Sequence, residues 1–408
     1  MAARAFGRIL TMKAMIFPPL TLSFLALCAA LCLLRAARAD EQQSPEGRVI
    51  CRDSNRYAAW PSVACLRDGK TLVAAFSGDR LGHVCPSGKV EVVRSTDGGK
   101  TWSKPVVVGD TPVDDRDASV HCLPNGEVLV TWFTSVAYVA HPYWKKRWGG
   151  LEKRPVGELM KFCGRWCVRS ADGGKTWSRP ERMSVVGSTP HGGIVLKDGS
   201  LLWVGRATPG KNNEALAAGD LPTVICCERS ANGGRTWEML CERFPDVDGE
   251  GRRNHLFHEP HVAELPDGRL VALIRCHAED GCFRRSESRD GGRTWSPMVR
   301  TTLKAGETAP HLMALPDGRL VATYGLRRQD SGRRIGVGEF AAFSSDGGLT
   351  WSETEGFCLH RSPKGCGAGE MGYPATVLLA DGSLYTVFYE PERTGGKPCI
   401  WGVNWRAP

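Results

Sequence analysis

A ten-residue segment recurs five times in this chain, and no other feature limits its fold as tightly. The copies are Arg94–Ser103, Arg169–Ser178, Arg229–Glu238, Glu287–Ser296 and Phe343–Ser352, with the core S-x-[DN]-G-G-x-T-W and Asn232 once in place of Asp. The residue types describe a tight turn between two strands. Asp or Asn can bond its own backbone a few residues on, and Gly-Gly supplies positive φ without steric cost. Thr and Trp then restart a strand, with the indole covering the turn. One such segment would mean a hairpin. Five, about 56–75 residues apart, mean a repeat architecture.

A second signature interleaves with the first: apolar-x-[DN]-G followed by an apolar residue, at Leu66–Leu72, Leu123–Val128, Leu196–Leu201, Leu265–Leu270, Leu315–Leu320 and Leu379–Leu384. Asp-Gly or Asn-Gly between apolar runs is a strong hairpin signal. Each unit reads strand a, Asp-Gly turn, strand b, loop, strand c, Asp-turn, strand d, which is one propeller blade. Six hairpins predict an all-β, six-bladed propeller of four-stranded antiparallel blades filling residues 40–408. The sixth unit lacks a fourth strand. Arg48–Arg52, a short β-prone piece without a blade, is expected to supply it and close the ring, leaving no exposed sheet edge. The second unit carries an insertion, Tyr138–Arg165, rich in aromatic and basic residues. It leaves from the end of strand b and is expected to wall the mouth of the ring. A short helix fits Leu151–Phe162, where Pro155 and Gly157 limit its length.

Residues 1–39 read as a secretory signal: Arg4, Arg8 and Lys13, then the apolar run Met15–Leu34, then Ala37-Arg38-Ala39 before Asp40. An uncleaved anchor is the alternative. The expectation is a secreted or periplasmic monomer with no stable membrane association after cleavage. Removing the segment takes five cations and no acids, so the formal charge falls from +9 to +4. That balance does not suggest a nucleic-acid partner and is compatible with an anionic small substrate. An oxidising compartment permits disulfides, and Cys276/Cys282 and Cys358/Cys366 each could staple a loop. No cofactor and no metal is expected: Cys163/Cys167 and Cys226-Cys227 do not make a zinc set, and the Asp-turns lack an EF-hand pattern.

The topology separates two faces. The Asp-Gly turns and Asp-turns share one. The starts of strands a, the ends of strands b and the b–c loops share the other, around the mouth of the central funnel. Eight residues before each Asp-Gly aspartate or asparagine stand Trp60, Asp117, Pro190, Glu259, Ala309 and Tyr373. Strand b offers Arg206, read as structural, and Arg275. Arg327 and Asp79-Arg80 follow in the loops. Arginines around a funnel suit a carboxylate held by forked, charge-assisted bonds. A tyrosine beside a glutamate suits one glycosidase chemistry. An anionic sugar repels a carboxylate nucleophile, whereas a phenol deprotonated by an adjacent Glu during attack avoids that repulsion. This requires the phenol within about 3.2 Å of the carboxylate, or one water away.

These residues resemble the sialidase (neuraminidase) superfamily, whose Asp-boxes match the five turns across essentially the whole mature chain. Glu259-Pro-His-Val-Ala-Glu264 with Leu273-Ile-Arg275 is similar to the family stretch bearing the general base and a carboxylate-binding arginine. Gly372-Tyr373-Pro-Ala, its turn and Tyr389-Glu390 resemble the stretch bearing the nucleophile. The resemblance implies Tyr373 as nucleophile, Glu259 as its base and Arg275 as a carboxylate ligand. It implies a retaining exo-glycosidase that releases sialic acid or a similar acidic sugar from glycoconjugates. The alternatives are a non-catalytic carbohydrate-binding propeller and a glycosidase for a different acidic sugar. Two departures stand out. The family's first carboxylate-binding arginine corresponds to Ala59 within Tyr57-Ala-Ala-Trp-Pro61, and Arg116 is the proposed substitute. The acid/base aspartate belongs in the loop Ser77–Cys85, where Asp79 is chosen, with His83 and Asp117 behind it. Asp117 and Arg80 are further binding candidates. For the third arginine, Arg327 is chosen over Arg328, Arg333 and Arg334.

Overall fold

A computed structural model describes residues 45, 47–52, 55–184, 193–207, 224–245, 257–305, 308–327, 336–352, 357–364, 366 and 369–408. The expected signal at residues 1–39 lies outside them, as do Pro190, Arg328, Arg333 and Arg334. Residues from Pro45 onward form a compact unit of six four-stranded antiparallel sheets.

In chain order, β1 (Arg48–Cys51) precedes the first blade, which is β2 (Tyr57–Cys65), β3 (Leu72–Arg80), β4 (Lys89–Ser95) and β5 (Val106–Gly109). Blade two is β6 (Asp114–Cys122), β7 (Val128–Ser135), β8 (Arg165–Ser170) and β9 (Glu181–Met183). Blade three is β10 (Gly193–Val195), β11 (Leu201–Ala207), β12 (Val224–Ser230) and β13 (Glu238–Cys241). Blade four is β14 (Phe257–Glu264), β15 (Leu270–Cys276), β16 (Cys282–Ser288) and β17 (Val299–Lys304). Blade five is β18 (His311–Ala314), β19 (Leu320–Leu326), β20 (Gly338–Ser344) and β21 (Phe357–Arg361). Blade six is β22 (Gly372–Leu378), β23 (Leu384–Pro391) and β24 (Pro398–Trp405), completed by β1. Arg48 pairs with Gly402 and Val49 with Trp401. The piece of chain before blade one is therefore the outer strand of blade six, and the ring closes as expected.

The Asp-turns explain the repeated residues atom by atom. In the first, Ser95 Oγ donates to Asp97 Oδ1 at 2.7 Å and accepts from Gly99 N at 2.9 Å. Thr101 gives its amide and hydroxyl to the two Asp97 oxygens at 2.9 and 2.6 Å. Gly98 and Gly99 take φ of 74° and 84°, open to L-residues only at a steric cost. Trp102 Nε1 caps the Gly99 carbonyl at 3.1 Å. The Ser and Thr bonds to the carboxylate recur around Asp172, Asp290 and Asp346, and the indole cap recurs at Trp295 and Trp351. Asn232 substitutes faithfully, because its amide donates to Thr236 Oγ1 where Asp would accept. The indoles serve packing: Trp295 and Trp351 are buried in inter-blade clusters.

Apolar faces of successive blades bury each other. Val73, Ala75, Val90 and Val92 of blade one pack on Ala118, Val120, Val130 and Trp132 of blade two. Blades six and one meet through Tyr389, Val387 and Ile400 against Tyr57, Trp60 and Phe76. The first strands line a central channel with a cavity of about 370 Å³ below the mouth. His261 and His311 stack there at 4.1 Å, with His261 Nδ1 accepting from Leu312 N. His311 is the first residue of β18.

The insertion of blade two differs from expectation in one respect. Its helical residues begin earlier, at α1 (Ala137–Ala140) and α2 (Pro142–Trp148), before the short α3 (Val156–Leu159). Pro142 at the first helical position loses no hydrogen bond, and Lys145, Lys146 and Arg147 sit favourably in the last turn. Val136, Tyr138, Val139 and Leu159 form a small core with Val84 of the blade-one loop, so the insertion leans on that loop. The two expected disulfides are not formed. Cys282 is a thiol donating to the Asp280 carbonyl, and Cys366 is also a thiol. Cys276 ends β15 and Cys282 begins β16, and both side chains are buried.

Candidate active site

The first strands carry the site through a repeated irregularity. Trp60, Asp117, Glu259 and Tyr373 have φ of 52°, 51°, 40° and 54°. Each lies where its strand gains a residue against its partner: register shifts fall between Ala59 and Ser62, Arg116 and Ser119, His258 and Pro260, and Gly372 and Ala375. A bulge re-aims one side chain out of the strand's alternation, here toward the mouth. Non-glycine residues in this left-handed region cost about 1–3 kcal/mol each and cluster at functional sites. Of the residues found by counting eight back from the hairpin turn, four share this conformation. Ala309 does not have it, and Pro190 lies outside the described residues.

Blades four, five and six converge on Tyr373. Its hydroxyl donates to Glu259 Oε1 at 2.9 Å and accepts from Arg275 Nη1 at 3.0 Å. The same Arg275 nitrogen bonds Glu259 Oε2. Burial alone would raise the Glu259 pKa; the Arg275 guanidinium and its bonds outweigh this and bring it down to about 2. Burial, reinforced by the Glu259 charge, pushes the Tyr373 phenol well above its ordinary value. At rest the proton therefore stays on Tyr373. Arg275 Nε is buried without a partner among the described residues, leaving a donor for an anion. Arg327 lies with its guanidinium carbon 5.7 Å from the Tyr373 ring centre and bonds the Met371 carbonyl at 3.1 Å. Asp117, on blade two, is buried, and its Oδ1 has no partner among the described residues. Burial raises its pKa; Arg116 opposes this and Glu259 adds to it.

Residues 69–386 match the family described as the BNR repeat-like domain. The chain belongs to that family. It is 26% identical over 378 residues to a sialidase of Micromonospora viridifaciens, covering 85% of this chain and 51% of that protein. It is 25% identical over 227 residues to a sialidase of Bacteroides fragilis (strain YCH46), covering 51% of this chain and 37% of that protein. The chain thus spans about half or less of the curated relatives' lengths. Among solved structures, a Dyadobacter fermentans protein of unknown function superposes with a TM-score of 0.67 at 23% identity, over 89% of this chain and 98% of that one. Hadza microbial sialidase Hz136 gives 0.64 at 21%, over 86% and 66%. Trypanosoma rangeli sialidase gives 0.57 at 17%, over 86% and 55%. These likenesses establish a sialidase-like BNR propeller.

On the blade-one side, this BNR protein departs from what its sequence suggested. Asp79 ion-pairs with Arg56 at 3.0 Å and Lys89 at 3.1 Å and lines a separate cavity of about 400 Å³ with Tyr57 and Glu91. Arg80 is fully buried and spans Asp114, the Asp115 carbonyl and the His83 carbonyl. Arg116 also bonds the His83 carbonyl, at 3.0 Å, and lies 4.6 Å from the Trp60 ring centre. Both arginines therefore hold the blade-one loop, and Trp60 occupies the space beside buried Ala59. Three residues gain importance here. Glu370 accepts from Tyr57 and lies 3.4 Å from His83 Nδ1. Arg206, read as structural, lies in the electrostatic field of Glu259, Arg275 and Tyr373. His258 stacks on His277 at 4.1 Å, and burial beside Arg206 lowers its pKa to about 3. A signal for Glu370 was its place three residues before Tyr373. Arg206 had one too, since it stands seven residues after a turn glycine, as Arg275 does.

Proposed function

We propose that this protein is a retaining exo-glycosidase for a terminal acidic sugar of a glycoconjugate, with Tyr373 as nucleophile and Glu259 as its base. The observation that carries the reading is the shared hydrogen-bonded cluster of Tyr373, Glu259 and Arg275 on a strained, buried framework. Arg275 connects binding to chemistry. A substrate carboxylate engaging its unpartnered Nε and drawing the guanidinium away weakens its hold on Glu259. The glutamate becomes more basic at the moment the phenol must lose its proton. The phenol oxygen attacks the anomeric carbon, the bond to the departing sugar breaks, and the phenol proton passes to Glu259. Water then displaces Tyr373, so the anomeric configuration is retained. Arg327 is a second ligand for the carboxylate, and Asp117 Oδ1 accepts a sugar hydroxyl.

Ala59 favours a second reading, a carbohydrate-binding propeller without turnover, because the arginine expected there is absent. Screening a panel of aryl glycosides of acidic sugars separates the two. Turnover that Tyr373→Phe abolishes supports the enzyme, and sugar affinity without turnover supports the binding module. Residues 1–39 are proposed as an export signal, tested by sequencing the mature N-terminus.

A further inference from the structure

Beside Tyr373 lies a second constellation, which the mechanism above leaves unused. His83 stands in the blade-one loop, part-exposed at the mouth. Its carbonyl is held by Arg80 at 2.9 Å and Arg116 at 3.0 Å. Its ring meets the Trp60 ring edge-on at 4.9 Å and stacks on Trp144 of the insertion at 6.2 Å and 11°. Its Nδ1 lies 3.4 Å from Glu370 Oε2, and the same oxygen accepts from Tyr57. The constellation adjoins the reacting centre: the Trp60 and Tyr373 rings each lie within about 6 Å of Tyr389, at 6.0 and 5.9 Å. A part-exposed imidazole held between two indoles, with a carboxylate behind one ring nitrogen and its backbone carbonyl fixed by two arginines, is the arrangement of a positioned proton donor.

Resting on the retaining reading above, we propose that His83, oriented by Glu370, is the general acid/base for the departing sugar. In the first step the imidazolium gives its Nε2 proton to the leaving oxygen as the anomeric bond breaks and Tyr373 bonds the carbon. The phenol proton goes to Glu259. In the second step neutral His83 takes a proton from the attacking water, the bond to Tyr373 breaks, and Glu259 returns its proton to the phenolate. Protons balance over the cycle, and the net change is addition of one water. Asp79 cannot share this task, being tied to Arg56 and Lys89. The charged groups facing His83 are Glu370, Asp117, and Arg80 and Arg116 on its carbonyl. Glu370 is a positioning residue, and Trp144 gives the insertion a role in holding the donor.

The test uses the full-length protein and two substrates of the same acidic sugar: a 4-methylumbelliferyl glycoside, whose leaving group needs little protonation, and an alkyl-type disaccharide, whose leaving group needs it. For His83→Asn, kcat/KM on the disaccharide should fall about 10²–10⁴-fold, while kcat/KM on the aryl glycoside falls far less. Azide should restore aryl-glycoside turnover by bypassing the base-assisted second step. Glu370→Gln keeps the shape of the side chain and loses its charge, so it should lower kcat/KM on the disaccharide more than on the aryl glycoside, a split that a merely structural loss would not produce. Circular dichroism on each variant separates loss of folding from loss of chemistry, and His83→Gln serves where His83→Asn is unfolded. Equal losses on both substrates in a folded variant, without azide rescue, overturn the role of His83. The retaining reading then still stands if Tyr373→Phe is inactive on both. Full activity of Tyr373→Phe, or no turnover by the wild-type protein across acidic-sugar glycosides, overturns the retaining reading and this role with it.

Discussion

Replacing Arg275 by Met keeps the bulk of the side chain and removes the charge that controls Glu259. In the native protein Glu259 is held at about 2, against an ordinary value of 4.5. At 1.36 kcal/mol per unit, that difference corresponds to about 3 kcal/mol. A depressed carboxylate stabilises the folded state above its unfolded value, and the contribution is lost as pH falls from about 4.5 toward 2. Without Arg275 burial prevails and Glu259 should rise above its ordinary value. The sign then reverses: the folded state holds a proton that the unfolded chain releases, and stability falls as pH rises through the carboxyl range and beyond. Breaking a buried pair costs about 3–5 kcal/mol, so Arg275→Met should also melt lower at neutral pH. The assay is Tm from pH 3 to 8 for the native protein and for Arg275→Met, with Arg275→Met/Glu259→Gln as the matched control. The native-minus-variant difference should shrink toward acid pH, and the double variant should recover part of the loss at neutral pH. A difference independent of pH, or a double variant less stable than the single one, would refute the idea that Arg275 sets the charge state of Glu259.

Tyr373→Phe removes the hydroxyl and leaves the Glu259–Arg275 pair, so it should cost about 1–3 kcal/mol of stability, while turnover falls by several orders of magnitude; thermal melts and initial rates measure both. Glu339, buried with neither carboxyl oxygen bonded among the described residues, has its pKa raised by burial and by Glu390. The native state thus retains a proton the unfolded chain loses, and stability should decline as pH rises from the ordinary carboxyl range. Glu339→Gln should flatten that decline in a Tm–pH series. Deleting residues 45–52 strips β24 of its outer partner, exposes an edge and should cause concentration-dependent aggregation by light scattering.

The fold was legible because each blade repeats its punctuation. Turn chemistry at Asp97 and its counterparts is local, so a decapeptide determines it, and alternation between turns fixes the strands. The Tyr373–Glu259–Arg275 cluster was legible for a related reason. Each residue lies a fixed count from a hairpin turn, and antiparallel register converts counts into heights. The count gives a height on the blade, and it does not give the partner that a side chain finds there. Arg80 and Asp79 are neighbours in sequence, yet one is buried against Asp114 and the other turns to Arg56 and Lys89. The outcome depends on long-range partners that no local pattern names. Arg116 was credited with charge it spends on a carbonyl and an indole face, and Glu370 was missed because its partners Tyr57 and His83 are some three hundred residues away. Helix α2 was not legible because His141, the residue before Pro142, makes no side-chain cap that would mark a helix start.

The four left-handed residues on the inner strands connect fold to chemistry. If the bulges served only to curve the strand tops, glycine would occupy them at no steric cost. The chain instead places Trp, Asp, Glu and Tyr there, accepting about 1–3 kcal/mol at each. That cost is offset only if the bulge aims a side chain the strand's alternation would misdirect. Glu259→Gly and Trp60→Gly separate backbone strain from side-chain role. Relief of strain pulls both toward higher stability. For Trp60→Gly, loss of a buried indole packed on Tyr57, Tyr389 and His83 pulls far harder the other way, so it should melt lower. Glu259→Gly leaves Arg275 buried without its partner, at about the 3–5 kcal/mol of a broken buried pair, so it too should melt lower, and it should lose activity. A Glu259→Gly protein that keeps its turnover would mean that the bulge on blade four is architecture, and that the shared conformation of these positions is a property of the ring and not of the site.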